Sequence, residues 1–296
     1  MANPTRPPGT YAELQALLQQ RLDTFSAGQG RIARLVLRDP ESCAFRTIGE
    51  TARLAEVHES TVVRFATSLG LAGYPALVAL CRERLRESAH LVGRFENAAT
   101  VGTAPDELLD TIAAQDAANI TRTYAQLDHD VWARTIGWLA EAPRVYVAGT
   151  RKCYSVAYLT AYLLRLVRRD VTQIGTVPGN LVEELRDLNP GDVLVAVSIH
   201  RYSRDTVTAT QHAARKGVRV VAMTDNASSP LAASADACLF AESGGVTIMR
   251  SVTGFISLAQ AMATATAVRL GTDSRRALLL DEQLLGELNV YTEPPD

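Results

Sequence analysis

The chain has 296 residues, of which 47% are hydrophobic, so it is long enough to bury one large core or two ordinary ones. A formal net charge of -2 and a sequence pI near 6.2 exclude a globally basic nucleic-acid-binding protein, so any DNA site must be local. Residues 1–90 carry eleven arginines against nine acidic side chains, whereas the remainder carries 19 basic and 23 acidic side chains. This small excess of positive charge in residues 1–90 is compatible with a DNA-binding site there but does not by itself indicate one.

The cysteine pattern and the interrupted apolar runs favour a cytoplasmic protein. Cys43, Cys81, Cys153 and Cys238 lie far apart without a CxxC pair, which indicates reduced thiols and not a disulfide scaffold. The opening residues, MANPTRPPGT, contain prolines and no apolar segment of the kind that signal peptides have. Polar side chains interrupt the most apolar stretch, 254–270, so we expect no membrane span and no membrane partner.

The first domain, predicted over residues 1–90, shows helical periodicity only. Residues 47–50, Thr-Ile-Gly-Glu, have the spacing of a capping box. In such a box the Thr hydroxyl accepts a hydrogen bond from the Glu amide, and the Glu carboxylate accepts one from the Thr amide. A helix therefore begins at this box and ends near Ala55. A second apolar face at 62–70 and a third helix at 75–85 follow after short turns.

Two short helices joined by a tight turn are typical of a DNA-binding helix-turn-helix, here predicted at about 47–69. Small Ala52 would let the helices cross closely, and Val57 and Val62 would fill the angle between them, with Phe65 anchoring the second helix. The side chains predicted to contact DNA are Thr47, Glu59, Ser60, Thr61, Arg64, Thr67 and Ser68. Any two short helices of a bundle share this pattern, so a purely structural interpretation stays open on these residues alone.

Composition and periodicity divide the rest of the chain. Residues 91–105 combine small side chains with Gly and Pro, which predicts a linker. Helices at about 106–127 and 130–140 lead into the second domain, which we predict to end at residue 286. The final residues, 287–296, are predicted to be a disordered tail.

Strand-like and helix-like runs alternate in the second domain. The strand-like runs are RVYVAGT, VTQIG, DVLVAVS, VRVVAMTD and ADACLFAE. Near-continuous apolar strands separated by helices indicate a parallel sheet with helices on both faces. The predicted fold is therefore an all-α helix-turn-helix domain followed by an α/β domain with a doubly wound parallel sheet.

Two strand ends in this domain are rich in hydroxyls and positive charge. They are VYVAGTRKCYS and LVAVSIHRYSRDT, and each leads into a helix whose N-terminus offers amides and partial positive charge. Doubly wound sheets bind ligands beyond the carboxyl ends of their strands, so both loops together predict an anion or phosphate site. Its predicted residues are Thr150, Arg151, Lys152, Ser155, Ser198, His200, Arg201, Tyr202 and Ser203. Either loop alone is explained as well by a helix cap with solvated arginines.

The stretch TIGETARLAEVHESTVVRFATSLGLAGYPAL resembles the N-terminal domain of the RpiR (MurR/RpiR) family of bacterial transcriptional regulators. The residues that carry the resemblance are Ala52, Ser60, Thr61, Val62, Val63, Arg64, Phe65, Leu69, Gly70, Gly73 and Tyr74. Two positions depart from the family pattern: Glu56 stands where a turn glycine is common, and His58 stands where an N-cap serine is common. A non-glycine residue in a left-handed turn costs about 1 kcal/mol, and His caps less well than Ser.

The second domain resembles the SIS (sugar isomerase) domain, whose Ser-x-Ser-Gly-x-Thr loop holds the phosphate of a phosphosugar. The matching positions are Ser198, His200, Tyr202 and Ser203. Arg201 replaces the family's glycine, which predicts a different anion such as a sugar-acid phosphate or a carboxylate. The stretch VVAMTDNASSPLAASAD resembles a scaffold segment of the same domain, in which Asp225 would order the loop.

Both resemblances together imply a transcription factor that binds operator DNA with its helical domain and senses a small anionic metabolite, such as a sugar phosphate, with its SIS-like domain. Pairing of SIS domains and two-fold operators predict a homodimer or homotetramer. We expect ligand binding to shift the packing of residues 106–142 against the sheet. The sequence shows no metal-ligand spacing, P-loop or GxSxG motif, so no cofactor and no metal are predicted.

Two other functions are compatible with the sequence. A sugar-phosphate aldose/ketose isomerase with a helical appendage would need an acid and a base, which Glu183, Glu184 and His200 could supply. The evident DNA-binding use of the first domain favours regulation over catalysis. A DNA-binding protein whose α/β domain serves only to oligomerise is the other alternative.

Overall fold

The computed structural model describes residues 7–38, 40–88, 91–101, 105–177 and 179–291. The chain divides into two compact units, Met1–Thr100 and Val101–Asp296. In the described part of the first unit every regular element is helical, as predicted. Its α-helices are α1 (Tyr11–Gln20), α2 (Ala27–Arg38), α3 (Pro40–Cys43), α4 (Ile48–Leu54), α5 (Glu59–Ser68), α6 (Tyr74–Ser88) and α7 (Leu91–Val101).

One apolar core holds the first unit together. Helix α2 contributes Ile32, Leu35 and Val36, which are buried and recur at the spacing of one helical face. Phe65 of α5 is fully buried in the same core, where Phe25 meets its ring edge-on at a centroid distance of 5.4 Å. The pattern of apolar residues therefore explains why these helices pack as one bundle.

The predicted capping box starts helix α4. The Thr47 Oγ1 accepts a hydrogen bond from the Glu50 amide at 3.2 Å, and Glu50 Oε2 accepts one from the Thr47 amide at 2.7 Å. Two amide hydrogens that the helix itself cannot satisfy thereby gain partners. The hydrogen bonds from Thr47 lower the pKa of the Glu50 carboxyl below its ordinary value.

The expected linker at 91–105 is helical over most of its length and not the loose segment that its composition suggested, but the division between the two units, at Thr100 and Val101, falls inside it. Helix α7 covers Leu91–Val101, and α8 already begins at Pro105, while residues 102–104 lie outside the described part. The glycine at position 93 costs only about 1 kcal/mol in a helix, and the helix formers around it outweigh that cost. Proline at the first helical position starts a helix instead of marking a loop.

The second unit is an α/β domain, as predicted. Its strands are β1 (Val145–Ala148), β2 (Val171–Ile174), β3 (Val193–Val197), β4 (Arg219–Thr224) and β5 (Ala237–Phe240). Its α-helices are α8 (Pro105–Ala125), α9 (His129–Glu141), α10 (Tyr154–Val167), α11 (Leu181–Arg186), α12 (Arg204–Arg215), α13 (Thr253–Leu270) and α14 (Thr272–Glu287). Each of the five strand-like runs in the sequence forms one of these strands.

The five strands form one parallel sheet in the order β2-β1-β3-β4-β5. Residues on one face of the sheet pack with α9, α10 and α13, and residues on the other face pack with α11 and α12. The sheet is therefore doubly wound. The chain moves outward from β1 to β2 and then returns to the other side of β1 with β3, so the strand order reverses between β1 and β3.

The end of the chain differs from expectation. No element was predicted at 271–286, where α14 lies. Its leucines do not form one buried stripe, because Leu278, Leu279 and Leu280 are all exposed, and this weakens the amphipathic signal. Of the predicted tail, residues 292–296 lie outside the described part. Among the helices in the described ranges, none is both long and apolar enough to cross a membrane.

Candidate functional site

Helices α4 and α5 and the turn between them have the predicted helix-turn-helix arrangement. Ala52 of α4 and Val62 of α5 are buried where the two helices meet. Val57 in the turn is half-buried and packs against the same core. The predicted packing of the motif is therefore present, including the close crossing at a small residue.

An arginine from outside the motif braces its turn. Glu56 adopts a left-handed conformation with φ of 51°. The Arg31 side chain, from α2, donates from Nε to the Ala55 carbonyl at 2.7 Å and from Nη2 to the Glu56 carbonyl at 2.8 Å. His58 does cap α5, because its Nδ1 accepts a hydrogen bond from the Ser60 amide at 3.3 Å. These contacts hold the turn and the start of α5 in place although the turn lacks glycine.

The predicted DNA-contacting residues do not all lie on one surface. The exposed ones on α5 are Glu59, Ser60, Arg64, Thr67 and Ser68. Thr61 is half-buried, and its Cγ2 would lie 3.7 Å from a Cβ on Gly28 of α2, so it lies at the edge of this face and its contact with DNA stays a prediction. Thr47 is exposed but belongs to the start of α4, where its side chain forms the capping box. Val63, which is 41% exposed, lies on the outer face and was not predicted there, because a valine carries no polar signal.

The two polar loops of the second unit meet at the carboxyl edge of the sheet. They follow β1 and β3, which are neighbours in register, with Ala148 beside Ala196. Thr150 Oγ1 donates to Ser203 Oγ at 2.5 Å and lies 3.4 Å from Thr206 Oγ1. The loops therefore open on one common surface at the point where the strand order reverses.

Asp225, which follows β4, fixes the shape of the second loop. Its two carboxylate oxygens accept hydrogen bonds from the His200 amide at 3.1 Å and from the Tyr202 hydroxyl at 2.9 Å. The loop is closed further by Ser198, whose Oγ accepts from the Ser203 amide at 3.1 Å. Burial and the adjacent Asp225 raise the pKa of Tyr202 far above its ordinary value, so its hydroxyl stays a neutral donor. The role of Asp225 as the residue that orders the loop is confirmed.

Glycine is required where the first loop begins. A Cβ on Gly149 would lie 2.8 Å from the Cβ of Ala157 and 2.9 Å from the Cys153 carbonyl oxygen. The Val197 carbonyl oxygen, at the end of β3, would be 3.3 Å away. The absence of a side chain thus lets the backbone after β1 approach both α10 and β3.

The basic residues of the two loops differ in exposure. Arg151 and Arg201 are exposed, and Lys152 is half-buried. Ser155 is exposed, but its hydroxyl donates to the Lys152 carbonyl at 2.9 Å, so it stabilises the first loop. Thr206 was not predicted for the site because it lies inside a helix in the sequence, yet it is buried next to Thr150.

The candidate acid and base groups occupy different positions. Glu184 Oε2 accepts a hydrogen bond from the Gly175 amide at 2.6 Å, next to the end of β2. Glu183 is exposed on α11, and His200 lies in the loop held by Asp225. Glu184 therefore stabilises the backbone at Gly175. This glycine adjoins the first loop, because a Cβ on it would lie 3.5 Å from Thr150 Cγ2.

Both parts of the chain match known protein families. The helix-turn-helix domain of the rpiR family matches residues 12–86, and the SIS domain matches residues 138–265. These two matches correspond to the helical unit and to the sheet with its helices.

Known proteins resemble one or both parts of the chain. The HTH-type transcriptional regulator HexR of Pseudomonas aeruginosa is 26% identical over 223 residues, which cover 75% of this chain and 76% of HexR. The sugar isomerase domain of an RpiR transcription factor from Sphaerobacter thermophilus covers 60% of this chain and 98% of its own, with 29% identity and a TM-score of 0.56. The NanR protein of Vibrio vulnificus, solved in complex with ManNAc-6P, shares the fold at a TM-score of 0.54 and 19% identity, covering 93% of this chain and 99% of its own.

Proposed function

Because the chain belongs to the RpiR family of transcriptional regulators, with a helix-turn-helix domain and a SIS domain, we propose that a sugar phosphate or related anion controls its binding to operator DNA. The α5 face binds the operator, and the surface between the Thr150 and Ser203 loops binds the metabolite. The protein acts on the bacterial chromosome, in the cytoplasm.

The observation that carries the sensing proposal is the contact between Thr150 and Ser203. It joins hydroxyls from two strand ends beside the N-terminus of α12, whose first amides have no partner within the helix. Arg151, Lys152 and Arg201 supply positive charge at the border of the same surface. Hydroxyls, amides and guanidinium groups are the donors that bind phosphate.

The chemistry of the second loop refines the ligand class. NanR of Vibrio vulnificus was solved with ManNAc-6P, a phosphorylated sugar. In this chain Arg201 occupies the position of the glycine in the loop pattern of SIS domains, and it is exposed at the site. An added guanidinium pairs best with a second anionic group, so a sugar-acid phosphate is expected to bind more tightly than a neutral sugar phosphate.

A thermal-shift assay tests the sensing proposal. The full chain is mixed with inorganic phosphate, glucose 6-phosphate, fructose 6-phosphate and 6-phosphogluconate, since a ligand that binds the folded state raises its melting temperature. Thr150→Val removes the hydroxyl that donates to Ser203 and joins the two loops, so it should weaken binding about tenfold, or about 1.4 kcal/mol. Arg215→Ala, at the opposite end of α12, is the matched control and should bind like the wild type.

DNA binding is measured with operators recovered by in vitro selection on the wild-type protein. Arg64→Ala should weaken binding and reduce the salt slope by about one, because one phosphate contact is lost. Arg276→Ala, whose side chain is 79% exposed on α14, is the control for loss of one positive charge. Operators bound equally well with and without every metabolite of the panel would contradict ligand control of DNA binding.

We propose that the SIS unit is not a catalyst. The proposal is supported by Glu184, whose carboxylate accepts a hydrogen bond from the Gly175 amide, and by two relatives that are named as transcriptional regulators. Interconversion of aldose and ketose phosphates by the purified protein would contradict it. We also propose a homodimer or homotetramer, which two-fold operators favour and which light scattering measures.

A further inference from the structure

Polar side chains fasten helix α8 to segment 241–252, which follows the carboxyl end of β5. We call this segment the rim segment. Gln115 Oε1 accepts a hydrogen bond from the Val246 amide at 2.8 Å. One residue further, Asp116 Oδ1 accepts one from the Ser251 hydroxyl at 2.6 Å. Two bonds therefore reach the middle and the end of the rim segment.

The next two turns of α8 make the same kind of contact nearer the strand. Asn119 Nδ2 donates to the Gly244 carbonyl at 2.7 Å, and Thr123 Oγ1 accepts from the Glu242 amide at 3.0 Å. Asn119 and Thr123 are fully buried. Buried polar groups are costly to leave without partners, so these bonds set the position of α8 against the rim segment.

The approach of α8 at this point leaves no room for a methyl group. A Cβ on Gly254, the second residue of α13, would lie 2.7 Å from Thr123 Oγ1 and 3.2 Å from the Glu242 carbonyl oxygen. Both neighbours belong to the contact just described. The position of α8 is thus defined by packing as well as by hydrogen bonds.

The rim segment is joined to the anion-binding loops by two adjacent contacts. Its first residue, Ala241, donates its amide hydrogen to the Thr224 carbonyl at 2.9 Å. The residue after Thr224 is Asp225, which holds the amide of His200 and the hydroxyl of Tyr202. The contact with the rim segment and the contacts with the loop of the proposed ligand site are therefore made by adjacent residues, Thr224 and Asp225.

We propose that the rim segment and its contacts with α8 form a latch that transmits the state of the ligand site to the DNA-binding unit. The chain enters the second unit through α8, directly after α7, so a shift of α8 moves the covalent attachment of the first unit. This inference rests on the proposed function and adds the route of regulation. Ligand shifts the latch only by its difference in affinity for two arrangements of α8.

A matched pair at Thr123 tests the latch in the full chain. Thr123→Val removes the acceptor for the Glu242 amide and keeps the shape, whereas Thr123→Ser keeps the acceptor. With no ligand present, Thr123→Val should change operator affinity by about fivefold, a typical magnitude for coupled sites, and Thr123→Ser should not. Equal operator affinity of both variants and the wild type would overturn the proposal.

A second pair of variants acts by volume instead of hydrogen bonding. Gly254→Ala inserts a methyl group between α8 and α13, while Gly286→Ala on α14 meets no atom within 4 Å. Gly254→Ala should alter operator affinity as Thr123→Val does, and Gly286→Ala should leave it unchanged. The melting temperature shows whether Gly254→Ala is still folded. If it is not, the comparison of Thr123→Val with Thr123→Ser tests the latch.

The ligand measurement separates this inference from the proposed function. With 6-phosphogluconate as the probe, Thr123→Val should keep the thermal shift of the wild type. The ratio of operator affinities measured with and without the probe should fall towards one. A wild-type protein that no member of the panel stabilises refutes sensing, but the ligand-free affinities still decide the latch. An undiminished probe effect in Thr123→Val overturns the latch and leaves sensing intact.

Discussion

The two units of the chain assemble their candidate sites in different ways. The proposed DNA-binding face comes from one ten-residue helix, α5, so the helical period alone brings its residues together. The proposed anion-binding surface joins Thr150 to Ser203, which are 53 residues apart, and depends on Asp225 from a third strand end. A site on one helix needs only the helix and its support, whereas a site on strand ends needs the whole sheet.

Replacing Phe65 by alanine should have the largest effect and tests whether the units are independent. Phe65 is fully buried in the core of the first unit, so the variant should lose about 3–5 kcal/mol of that unit's stability. Calorimetry should show one unfolding transition shifted down and the transition of the second unit unchanged. Equal shifts of both transitions would mean that the units unfold together.

Gly149→Ala is the corresponding change in the second unit. The added methyl group would overlap Ala157 and the Cys153 carbonyl, so we expect a loss of about 1–3 kcal/mol, together with weaker ligand binding. The affected transition should be that of the second unit, while operator binding without ligand is retained. A variant with wild-type melting and wild-type ligand binding would show that the first loop tolerates a side chain.

Arg31→Ala tests the support of the recognition helix. It removes the donors to the Ala55 and Glu56 carbonyls and should cost about 1–3 kcal/mol, with weaker operator binding. Glu56→Gly should have the opposite sign and gain up to about 1 kcal/mol, because glycine adopts positive φ without strain. Chemical denaturation measures both, and a destabilised Glu56→Gly variant would contradict the strain argument.

Glu50→Gln should have the smallest effect, and it depends on pH. The folded state lowers the pKa of Glu50, so its stabilising contribution is present above the ordinary pKa and is lost as pH falls through the folded value. Near neutral pH the contribution is about 0.3–1 kcal/mol, and toward the lower end here because the side chain is exposed. The difference in melting temperature between wild type and variant should therefore vanish in acid.

The difference between the units also explains which expectations were confirmed. The capping box at Thr47 and the buried Phe65 follow from residues a few positions apart, and both are present. Thr61 is half-buried near Gly28, a residue of another helix that the period of α5 alone does not reveal. The predicted linker is helical over Leu91–Val101, because composition alone does not distinguish a helix that contains Gly93 from a loop.

In the second unit the strand ends were predicted, but part of the site was not. Thr206 and Gly175 lie beside Thr150 only because three separate elements converge on one edge of the sheet. The contacts between α8 and the rim segment had no signal in the sequence either. Asn119 and Gly244, which are hydrogen-bonded, are 125 residues apart.

The sequence by itself determined the helical and strand periods, the caps and the chemistry offered at each strand end, because these depend on neighbouring residues. Only the tertiary structure decided which strand ends meet, which arginine braces the turn and which helix is held against the rim segment. Those choices follow from strand order and close packing, which bring distant residues together and which no local pattern encodes.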